Sequence, residues 1–234
     1  MRKLIVGNWK LNPMTVSEAV ALASKIEVFS GGNEVVLCPP LPFIESIEYP
    51  HVGAQDCSPH IKGAYTGEVS PAQLQSMGIK YCIVGHSERR LMGEDDALVN
   101  AKVKALLDYK ITPIVCVGFG TTVKEDALEV ADIVGEQLVD GLDGVDPKKV
   151  VVAYEPVWAI SHGDPYATKN IATPDHAEQI ALYIVTKHGV PRVLYGGSVN
   201  STNAAGFLHQ PHVGGLLIGG ASLLPDDFNK IIRM

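Results

Sequence analysis

Short runs of apolar, β-branched residues alternate with amphipathic stretches from one end of the chain to the other. Candidate strands fall at 3–8, 34–38, 51–55, 81–85, 111–117, 150–154, 192–196 and 214–218. Several of them, such as Val150-Val151-Val152-Ala153 and Ile114-Val115-Cys116-Val117, are apolar at every position. A strand with one wet face alternates between apolar and polar residues. A run that does not alternate is expected to be buried on both faces, like a parallel strand covered by helices.

The stretches between these runs carry a helical period. Residues 174–188 open at Pro174 after Thr173, a cap followed by a proline at the first helical position. The period puts Ala177, Ile180, Ala181, Ile184 and Val185 on one face and turns Glu178 and Lys187 outward. The same spacing links Ala127, Val130, Ala131, Val134 and Leu138 within 122–138, and Leu98, Ala101 and Ala105 within 95–108. Weaker helices are predicted at 17–29 and 222–232, a short one opens at Ser70-Pro71, and another begins at Ser201. Eight such alternations without a linker rich in Gly, Ser or Pro predict a single α/β domain over residues 1–234. A closed barrel and an open doubly wound sheet both satisfy that pattern, and the count of eight favours the barrel.

Composition narrows the function. The 234 residues are 46% hydrophobic but only 6% aromatic, so the core is aliphatic. The net charge is −7 and no basic block exceeds Arg89-Arg90 or Lys148-Lys149, which excludes the dense positive footprint of a nucleic-acid surface. A small anionic substrate needs only local positive potential and stays open. No run approaches the 18 apolar residues of a membrane span, and polar Asn8 and Lys10 interrupt the N-terminus before signal-peptide length, so no membrane partner and a cytoplasmic location are expected. Cys38, Cys57, Cys82 and Cys116 are too scattered for a disulfide framework and read as buried free thiols. The histidines form no His-Glu-x-x-His unit, so no metal is expected.

Polar residues collect just past the first, fourth and sixth candidate strands, as Asn8 and Lys10, as His86 and Glu88, and as Glu155. In a barrel these points converge on the C-terminal mouth, where active sites form. Glu155, ahead of Pro156 and Trp158, is either a solvated strand end or a general base made more proton-hungry by burial. His86 is either a capping residue or, if a helix starts there, an imidazole kept neutral by backbone N–H groups and free to donate to an oxyanion. Glu88-Arg89-Arg90 reads as a solvated charged first turn with salt bridges, or Glu88 orients an ammonium. Lys10, flanked by Asn8 and Asn12, is a candidate for neutralising phosphate and polarising an adjacent oxygen. Gly196-Gly197-Ser198 and Gly219-Gly220 follow the last two strands and form either tight turns or a phosphate cradle. The longest polar stretch between regular elements, 156–173, has the length of a functional loop. Tyr65, Thr66, Gly67 and Glu68 form a polar tip in the 56–69 loop, a candidate contact surface.

Gly7-Asn8-Trp9-Lys10, Ala64-Tyr65-Thr66-Gly67-Glu68-Val69-Ser70, Gly85-His86-Ser87-Glu88-Arg89-Arg90, Ala153-Tyr154-Glu155-Pro156-Val157-Trp158-Ala159-Ile160, Tyr195-Gly196-Gly197-Ser198-Val199 and Gly219-Gly220-Ala221-Ser222 together resemble the triosephosphate isomerase family in order and spacing over nearly the whole length. The resemblance implies an eight-stranded parallel (β/α)8 TIM barrel. It also implies a cofactor-free aldose–ketose isomerase of glycolysis and gluconeogenesis, acting on dihydroxyacetone phosphate and D-glyceraldehyde 3-phosphate. By the same resemblance Glu155 is the base, His86 the neutral electrophile and Lys10 the positive group, with Asn8 and Glu88 holding them. Gly197, Ser198, Gly219 and Gly220 would surround the phosphate, Ser161 would offer a backbone N–H, and the segment after Trp158 would close as a lid. A homodimer is implied in which Thr66, Gly67 and Glu68 of the 56–69 loop reach the neighbouring subunit near Arg89.

Two departures stand out. The family lid usually reads Ala-Ile-Gly-Thr-Gly, whereas here Ala159-Ile160 runs into Ser161-His162-Gly163-Asp164-Pro165-Tyr166. Phe119 stands where the family usually has Glu, whose loss would loosen Trp158 or shift the balance between open and closed states. Two other functions compete: another phosphate-binding barrel enzyme acting on a related sugar or amino-sugar phosphate, and a noncatalytic scaffold that kept the fold.

Overall fold

The computed structural model describes residues 2–28, 32–123, 125–160 and 171–234. Among the described residues seven strands form one parallel sheet: β1 (Leu4–Asn8), β2 (Glu34–Cys38), β3 (Tyr81–Val84), β4 (Thr112–Val117), β5 (Val151–Tyr154), β6 (Val193–Tyr195) and β7 (Val213–Ile218), in the order β2-β1-β7-β6-β5-β4-β3. The expected strand at 51–55 is shorter than its apolar pattern suggests. It consists of two isolated parallel bridges, Leu37 with Val52 and Ala54 with Cys82. Pro50 precedes it and Gly53 interrupts it, and neither residue sustains a ladder. The segment still links the two sheet edges: Leu37 N–H donates to His51 O at 3.0 Å, Ala54 N–H to Tyr81 O at 2.9 Å and Ile83 N–H to Ala54 O at 2.9 Å. With that eighth stave the ring closes into a barrel, and the open doubly wound alternative is set aside.

Closure accounts for the missing alternation. Leu4, Val6, Val36, Cys38, Ile83, Ile114, Cys116, Val151, Ala153, Leu194 and Leu217 fill the barrel interior as one cluster. Their strand neighbours Ile5, Leu37, Cys82, Val115 and Val152 point outward and are just as buried, under the helices. All four cysteines are free and buried.

The helices are α1 (Val16–Ala23), α2 (Pro71–Ser76), α3 (Ser87–Leu91), α4 (Asp96–Asp108), α5 (Ala127–Gly141), α6 (Pro174–His188), α7 (Ala204–Leu208) and α8 (Pro225–Ile232). The bounds of α6 match its sequence pattern, because Thr173 Oγ1 accepts the His176 N–H at 3.1 Å and Gly189, at φ 70°, turns the chain out of the helix. Helix α5 starts five residues later than its periodicity suggests. Asp126 caps it by accepting from the Leu128 and Glu129 amides while Glu129 bonds back to the Asp126 N–H at 3.0 Å. Glu178 does not face open solvent as the helical period predicts. Its carboxylate takes the His212 N–H at 2.9 Å and meets His212 Nδ1 at 2.5 Å, joining α6 to the entry of β7. Among the described residues no helix is long and apolar enough to cross a membrane.

Because all the strands run the same way, their C-terminal ends share one rim. Asn8, Gln55, Gly85-His86, Gly118, Glu155, Gly196 and Gly219 stand at or just beyond those ends.

Candidate active site

Glu155 directly follows β5, and its N–H donates to Val117 O at 2.8 Å. Two glycines make room for it. A Cβ at Gly118 would lie 2.6 Å from Glu155 O, and one at Gly196 would lie 2.9 Å from Glu155 Cγ. Gln137 of α5 braces the first of these loops, accepting the Gly118 N–H at 2.7 Å and donating to Phe119 O at 2.7 Å. The Glu155 side chain is almost fully enclosed, at 2% exposure. Its Oε2 accepts the Ser87 N–H at 3.2 Å and its Oε1 lies 3.1 Å from His86 Nε2. The Cys116 thiol is pushed well up by burial and then by the Glu155 carboxylate beside it, so it stays protonated.

His86 caps α3, with its Nδ1 accepting the Glu88 N–H at 3.2 Å. A ring nitrogen that accepts a hydrogen bond carries no proton, so this cap matches the tautomer with its proton on Nε2. That Nε2–H is the atom facing Glu155. The capping reading of His86 holds, and the cap geometry suits the tautomer that the second reading requires.

Lys10 adopts a left-handed backbone, at φ 53°. Its N–H donates to Asn8 Oδ1 at 3.0 Å, and its C=O accepts from Gln55 Nε2 at 2.9 Å while the same amide donates to Cys38 O at 2.9 Å. These three bonds hold a conformation that an L-residue rarely adopts unaided. The ammonium reaches Glu88 Oε1 at 2.6 Å. An ion pair this exposed adds little stability, so its consequence is placement. Gly219 leaves space for the lysine stem, since a Cβ there would sit 3.3 Å from Lys10 Cε. Lys10, Glu88, His86 and Glu155 thus form one continuous line across the rim.

Around them, Gly197 is packed beneath Tyr195, whose hydroxyl occupies the space of a Cβ. Ser198 is buried, and its N–H donates to Ala159 O at 2.8 Å, tying the loop after β6 to the 3-10 turn Val157–Ala159 behind Glu155. Gly219 and Gly220 lead into the 3-10 turn Gly220–Leu223, with Ser222 Oγ donating to Gly219 O at 2.6 Å. Ser161, His162 and the expected lid from 161 to 170 lie outside the described residues.

The arginines of α3 form the salt bridges expected of a charged first turn, but Arg90 is not solvated. Arg90 is buried, donating to Gly85 O at 2.9 Å and pairing with Asp96 at 2.8 Å. Arg89 pairs with Asp56 at 3.0 Å and Glu94 at 2.7 Å, and buried Lys102 joins the same two carboxylates at 2.7 and 2.5 Å. Gly67, Glu68 and Arg89 line a cavity of about 230 Å³ with Gln55 and Asp56. Thr66 lines a neighbouring one with Tyr65 and Met92. Gln55, Ser87, Gly118 and Cys116 are the site neighbours that sequence reading passes over. Gln55 had a signal, a polar residue at the end of a candidate strand like Asn8 and Glu155; for the others nothing local marks the role.

Residues 3–234 match the family model described as triosephosphate isomerase. Among similar proteins, the triosephosphate isomerase of Caldanaerobacter subterraneus subsp. tengcongensis is 41% identical over 255 aligned residues, covering 99% of each chain. That of Thermoanaerobacter pseudethanolicus is 40% identical, again over 99% of both. The triosephosphate isomerase of Albidiferax ferrireducens is 42% identical over 99% of this chain and 98% of its own.

Proposed function

The chain belongs to the triosephosphate isomerase family, and from that membership we propose how it carries out the family reaction, the interconversion of dihydroxyacetone phosphate and D-glyceraldehyde 3-phosphate, as one catalytic unit. Glu155 is the base. It exchanges its bonds to His86 and the Ser87 N–H for the substrate and takes the proton from the carbon next to the carbonyl. The electrons of that C–H bond move into the carbonyl, and the oxygen becomes an enediolate oxygen. His86 Nε2–H donates to that oxygen, and the Lys10 ammonium, held by Glu88 and Asn8, stands beside it. Glu155 then returns the proton to the neighbouring carbon while the hydroxyl proton passes to the first oxygen, completing the isomerisation.

The observation that carries this reading is the capping His86, whose Nδ1 faces the Glu88 N–H while its Nε2 lies 3.1 Å from a buried carboxylate. A donor that needs no reorganisation is worth most where charge develops. Gly197, Ser198, Gly219 and Gly220, on the loops after β6 and β7, are the proposed phosphate surroundings. The protein is further proposed to act as a homodimer in the cytoplasm. Leu11, Met14 and Met92 are each more than three-quarters exposed, and half-exposed Tyr65 lies beside Met92 at the 56–69 loop. Apolar side chains of that size next to an active-site lysine favour burial against a second copy. Free buried thiols suit a reducing compartment.

The test is direct. Purified protein, freed of metal by a chelator and given either triose phosphate without nucleotide, should form the other. In sedimentation the same sample should run at twice 25.0 kDa. A dimer that leaves both substrates unchanged overturns the isomerase reading and returns the scaffold alternative.

A further inference from the structure

Two aromatic side chains flank the base in sequence, and both meet one residue of α6. Tyr154 Oη lies 2.9 Å from His176 Nε2. The Trp158 ring stands edge-on to the same imidazole, with centroids 5.9 Å apart at 72°. The indole N–H of Trp158 is buried without a hydrogen-bond partner among the described residues, so packing is what restrains that ring. Tyr154 is fully buried and its hydroxyl requires an acceptor. Burial pushes the Tyr154 phenol up, so it stays an O–H donor, and burial lowers the pKa of His176, which favours the neutral ring that can accept. His176 is itself fixed at the start of α6, where its N–H bonds Thr173 Oγ1.

We propose that His176 is a positioning residue for Glu155: by accepting from Tyr154 and packing on Trp158 it clamps the segment on both sides of the base, and its protonation releases that clamp. The inference rests on Glu155 being the base. Around the imidazole, the charged and titratable groups are Asp175 on α6 itself, Glu125 ahead of α5, whose charge reaches Tyr154, Tyr195 on β6 with its ring 6.5 Å from that of Tyr154, and Glu155 beyond Tyr154. The direction follows from the lone pair. Neutral His176 accepts from Tyr154, and protonated His176 cannot. Because burial lowers its pKa, His176 stays neutral and the clamp stays complete at the ordinary histidine value of 6.5, and the clamp is lost only as pH falls further, through the lowered value of the folded protein.

Two variants test this in the intact protein. His176→Leu removes both acceptor and titration, and should lower kcat about tenfold while KM stays within about twofold, because the base is misplaced but phosphate binding is not. His176→Gln keeps an acceptor that does not titrate. It should recover most of kcat at neutral pH and lack the fall in kcat that protonation of His176 is expected to add in the parent, at a pH below the ordinary histidine value. Parent-like kcat in folded His176→Leu, or a parent-like acid limb in His176→Gln, overturns the proposal. If the leucine variant fails to melt cooperatively, the pH profile of the glutamine variant decides alone. A parent protein without isomerase activity would instead sink the reading of Glu155, a distinguishable failure.

Discussion

Glu155→Asp should lose about 100-fold or more in kcat while KM changes little. The substitution leaves a carboxylate of the same chemistry but withdraws it by one C–C bond, roughly 1.5 Å, and a displacement of about 1 Å at the reacting atoms costs about 100-fold. Nothing nearby can compensate. The backbone of Glu155 is trapped between β4 and β6, with Gly118 and Gly196 already at the limit of approach, so the main chain cannot advance to restore the reach. KM should hold because the proposed role of the carboxylate is at the carbon-bound proton and not at the phosphate, the pattern of a group whose contribution is made in the transition state. Circular dichroism and melting should remain close to the parent. Steady-state kinetics with either triose phosphate make the measurement, and parent-like turnover would place the base elsewhere.

What the chain reveals in one dimension follows from how far each feature reaches in sequence. Helix α6 is legible to the residue because Thr173, Pro174 and Gly189 are all local signals. The start of α5 was available too, in Asp126 and Glu129, but the helical period extends through residues that the cap excludes. Strands buried on both faces are recognisable from unbroken apolar runs, whereas closure of the ring depends on Val52 and Ala54, two residues in a segment whose glycine and proline argue against a strand. At the site, the motif residues Asn8, Lys10, His86, Glu88 and Glu155 stand out because each is polar at the end of an apolar run. What holds them does not stand out. Gln55 meets Lys10 across 45 positions, Ser87 meets Glu155 across 68 and His212 meets Glu178 across 34. Such pairs exist only once the barrel has brought distant segments together. Arg90 illustrates the same limit in reverse: a charged first turn reads as solvated until Gly85 and Asp96 are seen to enclose it.

His86→Asn should reduce kcat by about 100- to 1,000-fold, the scale seen when one preorganised donor to a developing oxyanion is removed. The comparison with His86→Gln separates the two jobs that the imidazole performs. Asparagine places its amide oxygen near the position of Nδ1, where it can still accept the Glu88 N–H and cap α3, but nothing reaches the position of Nε2. Glutamine extends an amide N–H toward the Nε2 position and gives up the cap geometry. If the Nε2 proton is what stabilises the enediolate, the glutamine variant retains more turnover and the asparagine variant more thermal stability. If the cap is what matters, because it holds Ser87 and Glu88 against Glu155 and Lys10, the order of turnover reverses. The tautomer adds a second expectation. If Nδ1 accepts from the Glu88 N–H it carries no proton, and nitrogen NMR of the parent near neutral pH should then show one protonated and one unprotonated ring nitrogen at His86. Two protonated ring nitrogens would show an imidazolium, and the proposed stabilisation of the oxyanion by a neutral donor would have to be abandoned.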